Sequence, residues 1–258
     1  MEINLSNLVC GYQSVDVIGP FDLTFKTGEF TCILGCNGIG KTTLFKTILN
    51  FIPAKSGTVF IDDKNIQKMN SKELASYISY VPQAKNNRYQ YTVIDIILMG
   101  RVNYIKPFES PSQNDYKIVN DILSTLSISH LAHKLYSELS GGEQQIVLIA
   151  RALVQEAKFI FMDEPASNLD FENQKRVLDV LRYLSQNGIG VIMSSHAPDH
   201  AFYCGANVVL INKDKTYTFG ATEELLTSNN LKKVYGTDMK ILTDYDENGN
   251  VVHSCCMI

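Results

Sequence analysis

The stretch Phe30-Thr31-Cys32-Ile33-Leu34-Gly35-Cys36-Asn37-Gly38-Ile39-Gly40-Lys41-Thr42-Thr43 decides the architecture. A short apolar strand, Phe30–Leu34, runs into a glycine-rich turn, and a helical pattern follows over Thr42–Asn50. Gly35 to Thr42 fits G-x-x-x-x-G-K-[ST], the spacing of a loop that curls around a polyphosphate. Glycines permit the unusual dihedrals and the close backbone approach that point several N–H groups inward. The helix that opens near Lys41 adds its positive N-terminal end. Lys41 is expected at the β- and γ-phosphates of ATP, and the Thr42 hydroxyl at a Mg2+ ion. Gly35, Asn37, Gly38, Gly40 and Thr43 complete the expected nucleotide loop.

On the N-terminal side the chain reads as short strands at Ile3–Leu8 and Phe21–Phe25. Thr58–Ile61 follows the loop in the same alternating pattern, and turn residues separate these segments. The middle is different. Apolar spacing predicts helices over Val93–Met99 and Ile118–Leu126, interrupted by a polar loop at Pro107–Asn114. Strands return at Phe159–Met162, Val191–Ser194, Val208–Ile211 and Tyr217–Phe219, with helices at Phe171–Gln186 and Pro198–Cys204 between them. Strand–helix alternation predicts an α/β fold with a partly parallel sheet, and the helical middle reads as an insertion into it.

The run Phe159-Ile160-Phe161-Met162-Asp163-Glu164 is an apolar strand that delivers two acids at its C-terminal edge. That edge is where α/β sheets place ligand groups. Asp163 is expected to bind Mg2+, directly or through water, and Glu164 to orient or deprotonate an attacking water.

Composition narrows the class. The chain has 258 residues, 45% of them hydrophobic, enough for a large core. A net charge of −4 does not suggest a nucleic-acid-coating surface. No apolar run reaches transmembrane length, and the opening Met1-Glu2-Ile3-Asn4-Leu5 lacks the features of a signal peptide, so a cytoplasmic protein is expected. The six cysteines show no zinc-ligand spacing and read as free thiols. Cys36 is a candidate reactive thiol because it stands beside a helix start. The ending Cys255-Cys256-Met257-Ile258 has the look of a prenylation tail, but nothing else in the chain supports that, and a frayed terminus is expected.

Leu139-Ser140-Gly141-Gly142-Glu143-Gln144-Gln145, between the phosphate loop and the acidic strand, resembles the signature segment of the ATP-binding cassette (ABC) family. Other elements of that family fall in order. Tyr12 matches the aromatic that stacks on adenine, Gln83 the Q-loop glutamine, Ser167-Asn168-Leu169-Asp170 the D-loop, and His196 the switch histidine. Gln144 departs from the basic residue many members carry, and Thr42 replaces the commoner serine while keeping the hydroxyl. The resemblance implies a P-loop NTPase (RecA-like) core with an N-terminal antiparallel β subdomain and an inserted α-helical signature subdomain. It implies one ABC ATPase domain over 1–258, with core about 1–90 and 158–258 and insertion about 91–157.

The resemblance also implies ATP and Mg2+ as ligands, with Thr42, Gln83 and Asp163 around the metal. Lys41, Gln83, Glu164 and His196 would serve hydrolysis. Ser140, Gly141 and Gly142 would meet the nucleotide of a second copy in a head-to-tail dimer, and Glu143 and Asp170 are also expected at the nucleotide. The implied partners are transmembrane permease subunits on the inner face of the cell membrane and, indirectly, a substrate-binding protein, with no nucleic acid. Thr92–Arg101 and the tail segment from Leu225-Leu226-Thr227 through Val234-Tyr235-Gly236 resemble the importer group that handles iron–siderophore, haem and cobalamin. A soluble cassette ATPase serving as an assembly scaffold, as in iron–sulfur cluster building, is the alternative. Nucleic-acid-associated cassettes usually carry two cassettes or long coiled coils, which this chain lacks. Glu164 and His196 speak against a regulator without catalysis.

Overall fold

The computed structural model describes residues 1–83, 90–106 and 108–258. Its first half contains β1 (Glu2–Tyr12), β2 (Val15–Lys26), β3 (Phe30–Leu34), α1 (Lys41–Ile48), β4 (Ser56–Ile61), β5 (Lys64–Asn65), α2 (Ser71–Ala75) and β6 (Ile78–Val81). Helices α3 (Val93–Leu98), α4 (Gln113–Thr125) and α5 (Gly141–Leu153) follow. Then come β7 (Phe159–Asp163), α6 (Phe171–Gln186), β8 (Gly190–Ser195), α7 (Asp199–Cys204), β9 (Asn207–Ile211) and β10 (Tyr217–Ala221). The chain closes with α8 (Thr222–Leu225), α9 (Ser228–Tyr235), β11 (Met239–Tyr245) and β12 (Val251–Met257).

Strands β3, β7 and β8 are buried at every position, which is why they read as continuous apolar runs rather than alternating ones. They occupy the middle of a sheet in the order β10-β9-β3-β8-β7-β6. β3 runs parallel to β8 and β9, and β7 parallel to β6 and β8, while β10 joins antiparallel at one edge. A second, antiparallel sheet in the order β2-β1-β4-β5 faces it. Helix α1 contributes to the core they share. Phe45 meets Phe161 edge-on at 5.3 Å, and Phe25 meets the same ring at 6.1 Å. Helices α3, α4 and α5 lie in sequence between β6 and β7 and pack on one another in the core on the other side of the sheet.

This topology gathers chemistry along one edge. The glycine loop follows β3, Gln83 lies just past β6, Asp163 ends β7, and His196 follows β8. These are the C-terminal ends of parallel strands.

The structure departs from the sequence reading at several places. Helix α4 begins at Gln113, earlier than the apolar spacing indicated, because Ser112 and Asp115 form a capping box there. The polar loop before it is correspondingly shorter, and its Pro107 lies outside the described residues. Strand β6 had too short an apolar signature to stand out, yet its backbone pairs with β7.

The chain end is a hairpin rather than a frayed tail. β11 and β12 pair from Met239↔Met257 to Tyr245↔Val251. Asp246 closes the turn by accepting the N–H groups of Asn248 and Asn250 at 2.9 and 2.8 Å. The Cys255 N–H donates to Asp199 Oδ1 at 2.7 Å and ties β12 to α7, so Cys255 and Cys256 stand in a paired strand.

Candidate functional site

The glycine loop ends at Gly40, which caps α1 with φ of +119°. A Cβ there would stand 3.0 Å from Val17 Cγ1 and 3.1 Å from Ile18 Cγ2, so a side chain would strain the backbone and crowd these two neighbours. Lys41 is buried at 5% exposure, and its Nζ donates to the carbonyls of Gly35 and Cys36 at 2.8 and 3.3 Å. The first turn of α1 carries no acid and no side-chain cap. Its N–H groups and positive end therefore remain available to an anion. The cleft above them, of about 340 Å³, is lined by Val17, Asn37, Gly38, Gly40, Lys41, Thr42, Thr43, Gln83 and Glu164.

Strand β7 brings its two acids to this cleft, and each has a distinct environment. Asp163 is buried. It accepts from Thr42 Oγ1 at 2.6 Å on one oxygen and from Ser194 Oγ at 2.6 Å on the other. Glu164 has φ of +50°, a conformation uncommon for a residue with a side chain. The Ser194 hydroxyl accepts the Glu164 N–H at 3.0 Å, and Ser167 bonds the Glu164 carbonyl through both its N–H, at 3.1 Å, and its hydroxyl, at 2.8 Å. The carboxylate is thereby aimed into the cleft. Lys41 Nζ lies 3.6 Å from one oxygen, while Gln83 Nε2 at 3.4 Å and His196 Nδ1 at 3.6 Å meet the other. Three residues far apart in sequence thus converge on one carboxylate.

The oxygen set of Thr42 and Asp163 suits a hard cation. Among the described residues no group of three His, Cys, Asp or Glu side chains is arranged to hold a metal ion. Mg2+ does not need one, because it takes one or two carboxylates and draws its other oxygens from phosphate and water.

The remaining sequence candidates do not line this cleft. Tyr12 ends β1 and is 45% exposed. Ser140 is the N-cap of α5 and shares a capping box with Glu143, whose carboxylate accepts from the Ser140 N–H and hydroxyl at 2.8 Å each. Those two donors hold the Glu143 carboxyl below its ordinary pKa. Ser140 and Gly141 are exposed, while Gly142 is buried. Asp170 is the exposed N-cap of α6. Cys36 turns its thiol to the Val234 carbonyl of α9 at 2.9 Å.

Sequence reasoning missed three contributors. Val17 lines the cleft from β2. Ser194 serves both Asp163 and Glu164, and its only sequence signal was its place at the end of β8. Ser195 steadies the segment around His196. Its hydroxyl accepts the Ala197 N–H at 3.0 Å and meets the buried His200 Nδ1 at 3.0 Å.

Comparison with known proteins agrees with this geometry. A family model described as ABC transporter matches residues 18–167. An uncharacterized ABC transporter ATP-binding protein of Haemophilus influenzae is 38% identical over 96% of this chain and 94% of its own length. The molybdate import ATP-binding protein MolC of the same organism is 34% identical over 92% of this chain and 89% of its own. A Helicobacter pylori protein named for iron chelatin transport is 28% identical over 98% of this chain and all of its own. A solved structure described as an inward-facing, metal-chelate type ABC transporter superposes with a TM-score of 0.88 at 30% identity. The match covers 99% of this chain and 97% of that one.

Proposed function

The chain belongs to the ATP-hydrolysing, ATP-binding subunits of the ABC transporter family, and from that premise we propose that it drives uptake of an iron chelate (a siderophore or haem) or cobalamin through a separate membrane permease. The observation that carries the motor reading is the convergence of Lys41, Gln83 and His196 on Glu164 beside the Thr42–Asp163 pair. ATP enters the cleft with its phosphates on the N–H groups of the glycine loop and of α1. Lys41 exchanges the Glu164 carboxylate for phosphate oxygen, which frees Glu164 to align water and take its proton. His196 and Gln83 are freed by the same exchange to meet the γ-phosphate. Thr42, Asp163 and Gln83 are the residues that would hold Mg2+, which neutralises phosphate charge when bound.

Ser140–Gly142 does not line the cleft of its own chain, and its exposed residues suit service to a second copy packed head to tail. Helix α6, whose Asn173 stands against Gly142, opens with Phe171, 90% exposed next to Asp170, an apolar surface that suits burial in such a dimer. Support for a permease partner comes from a groove beside α3 and α4. It is lined by Leu98, Met99, Val102, Ile105, Phe108 and Tyr116 among others, with Met99, Val102, Phe108 and Tyr116 exposed. No helix among the described residues is long and apolar enough to cross a membrane. We assign this groove to a cytoplasmic segment of the permease, which places the ATPase on the inner face of the membrane.

The cargo is read from resemblance. One relative is named for iron chelatin and a structural neighbour is of metal-chelate type, whereas another relative is named for molybdate. The test is a tagged Glu164→Gln variant in its native cell, solubilised from membranes with ATP. A polytopic membrane protein in stoichiometric amount supports the proposal, and only soluble partners would reject it. Uptake of labelled ferric siderophore, haem, cobalamin and molybdate in a deletion strain then separates the cargoes. Loss of molybdate uptake alone would reject the chelate reading.

A further inference from the structure

Asn173, in the first turn of α6, lies outside the family motifs. Its half-buried side chain stands against the signature turn. A Cβ built on Gly142 would lie 2.0 Å from Asn173 Oδ1 and 2.6 Å from Asn173 Cβ. Asn173 also grips Asp170. Its Nδ2 donates to Asp170 Oδ2 at 3.1 Å and its backbone N–H to Asp170 Oδ1 at 2.8 Å. A second contact runs beside the first. Gly141 leans on Leu169, whose Cδ2 would be 3.3 Å from an added Cβ, and Gln174 Nε2 holds the Leu169 carbonyl at 2.8 Å. One amide side chain, bonded to Asp170 and packed against Gly142, therefore stands between two turns that neither adjoin in sequence nor line the chain's own cleft.

We propose that Asn173 is a positioning residue that holds Ser140–Gly142 and the segment ending at Asp170 as one unit, so that both reach the partner copy's nucleotide together. This rests on the two-copy reading given above. Two independently mobile turns would each lose freedom when the dimer closes, whereas a unit assembled beforehand loses less. Gly142 is glycine in part because any larger residue would expel the Asn173 amide.

The test uses the full chain in the Glu164→Gln background, with ATP. Sedimentation gives the dimer dissociation constant, and a fluorescent ATP analogue gives binding to dilute monomer. Asn173→Ala is expected to leave monomer binding within about twofold and to weaken the dimer by about tenfold. General unfolding would lower both together. Asn173→Asp keeps the size but turns the bond to Asp170 into repulsion, and it is expected to weaken the dimer likewise. Gly142→Ala should also weaken the dimer, and adding Asn173→Ala to it should cost nothing further or restore part of the loss, because the two share one contact. A parent that dimerises while Asn173→Ala and Asn173→Asp match it overturns the proposal alone. So does full additivity of the Gly142 and Asn173 effects. A parent that stays monomeric with ATP overturns the two-copy reading, and the proposal with it.

Discussion

Two helix N-termini in this chain carry glycine-rich turns, and they are finished in opposite ways. At α1 the cap is Gly40, with no side-chain cap and no acid in the first turn. At α5 the cap is Ser140, whose hydroxyl accepts the Glu143 N–H at 3.3 Å while Glu143 bonds back to it. The difference is one of unmet demand. Helix α1 leaves its positive end open and adds Lys41 beside it, so it gains most when a phosphate arrives. Helix α5 is stable without an anion, because its own chain satisfies part of that end. The first suits a ligand taken up by the chain on its own; the second is a finished surface suited to docking onto a site elsewhere.

Substitutions at the two helix ends test this contrast. The largest effect is expected at the open end. Lys41→Ala should lower ATP affinity or turnover by about 100-fold or more, measured by analogue binding and phosphate release. Gly40→Ala comes next. Its strained backbone and its contact with Val17 should cost about 1–2 kcal/mol of stability in denaturant titration, with weakened nucleotide binding. At the finished end the order of effects reverses. Ser140→Ala should cost about 1 kcal/mol of stability through the lost cap yet leave ATP binding to the monomer unchanged. Loss of monomer binding in that variant would mean that the signature turn serves its own cleft.

The smallest effect is in pH. The Ser140 donors hold the Glu143 carboxyl below its ordinary value of 4.5. The folded state therefore binds that proton less readily than the unfolded one. The cap's contribution is fully present above about pH 4.5 and is lost as pH falls through the lowered folded value. In acid unfolding, Ser140→Ala should differ from the parent most near neutrality and least at the acid end. A gap that widens as pH falls would contradict this account of the cap.

The same contrast explains what could be read from the sequence. The α/β core was legible because its chemistry is adjacent along the chain. A buried strand such as β3 or β7 leads directly into the glycine loop or the acidic pair, and the strand's own apolarity announces it. Contacts made by packing left no such trace. Strand β6 becomes a strand by pairing with β7, and the terminal hairpin depends on one aspartate turn and on Asp199 of α7. Ser194 and Asn173 are ordinary polar residues in sequence. What they do follows from which loops the topology brings beside them.

The central claim is that one chain binds ATP and a second copy completes the site. Light scattering on gel filtration of Glu164→Gln tests it most directly, with ATP, with ADP and without nucleotide, alongside Ser140→Arg in the same background. Glu164→Gln is expected to dimerise with ATP only, and the double variant to stay monomeric even though it still binds ATP. A Glu164→Gln protein that binds ATP yet remains monomeric at every concentration, or a double variant that dimerises equally well, would contradict it.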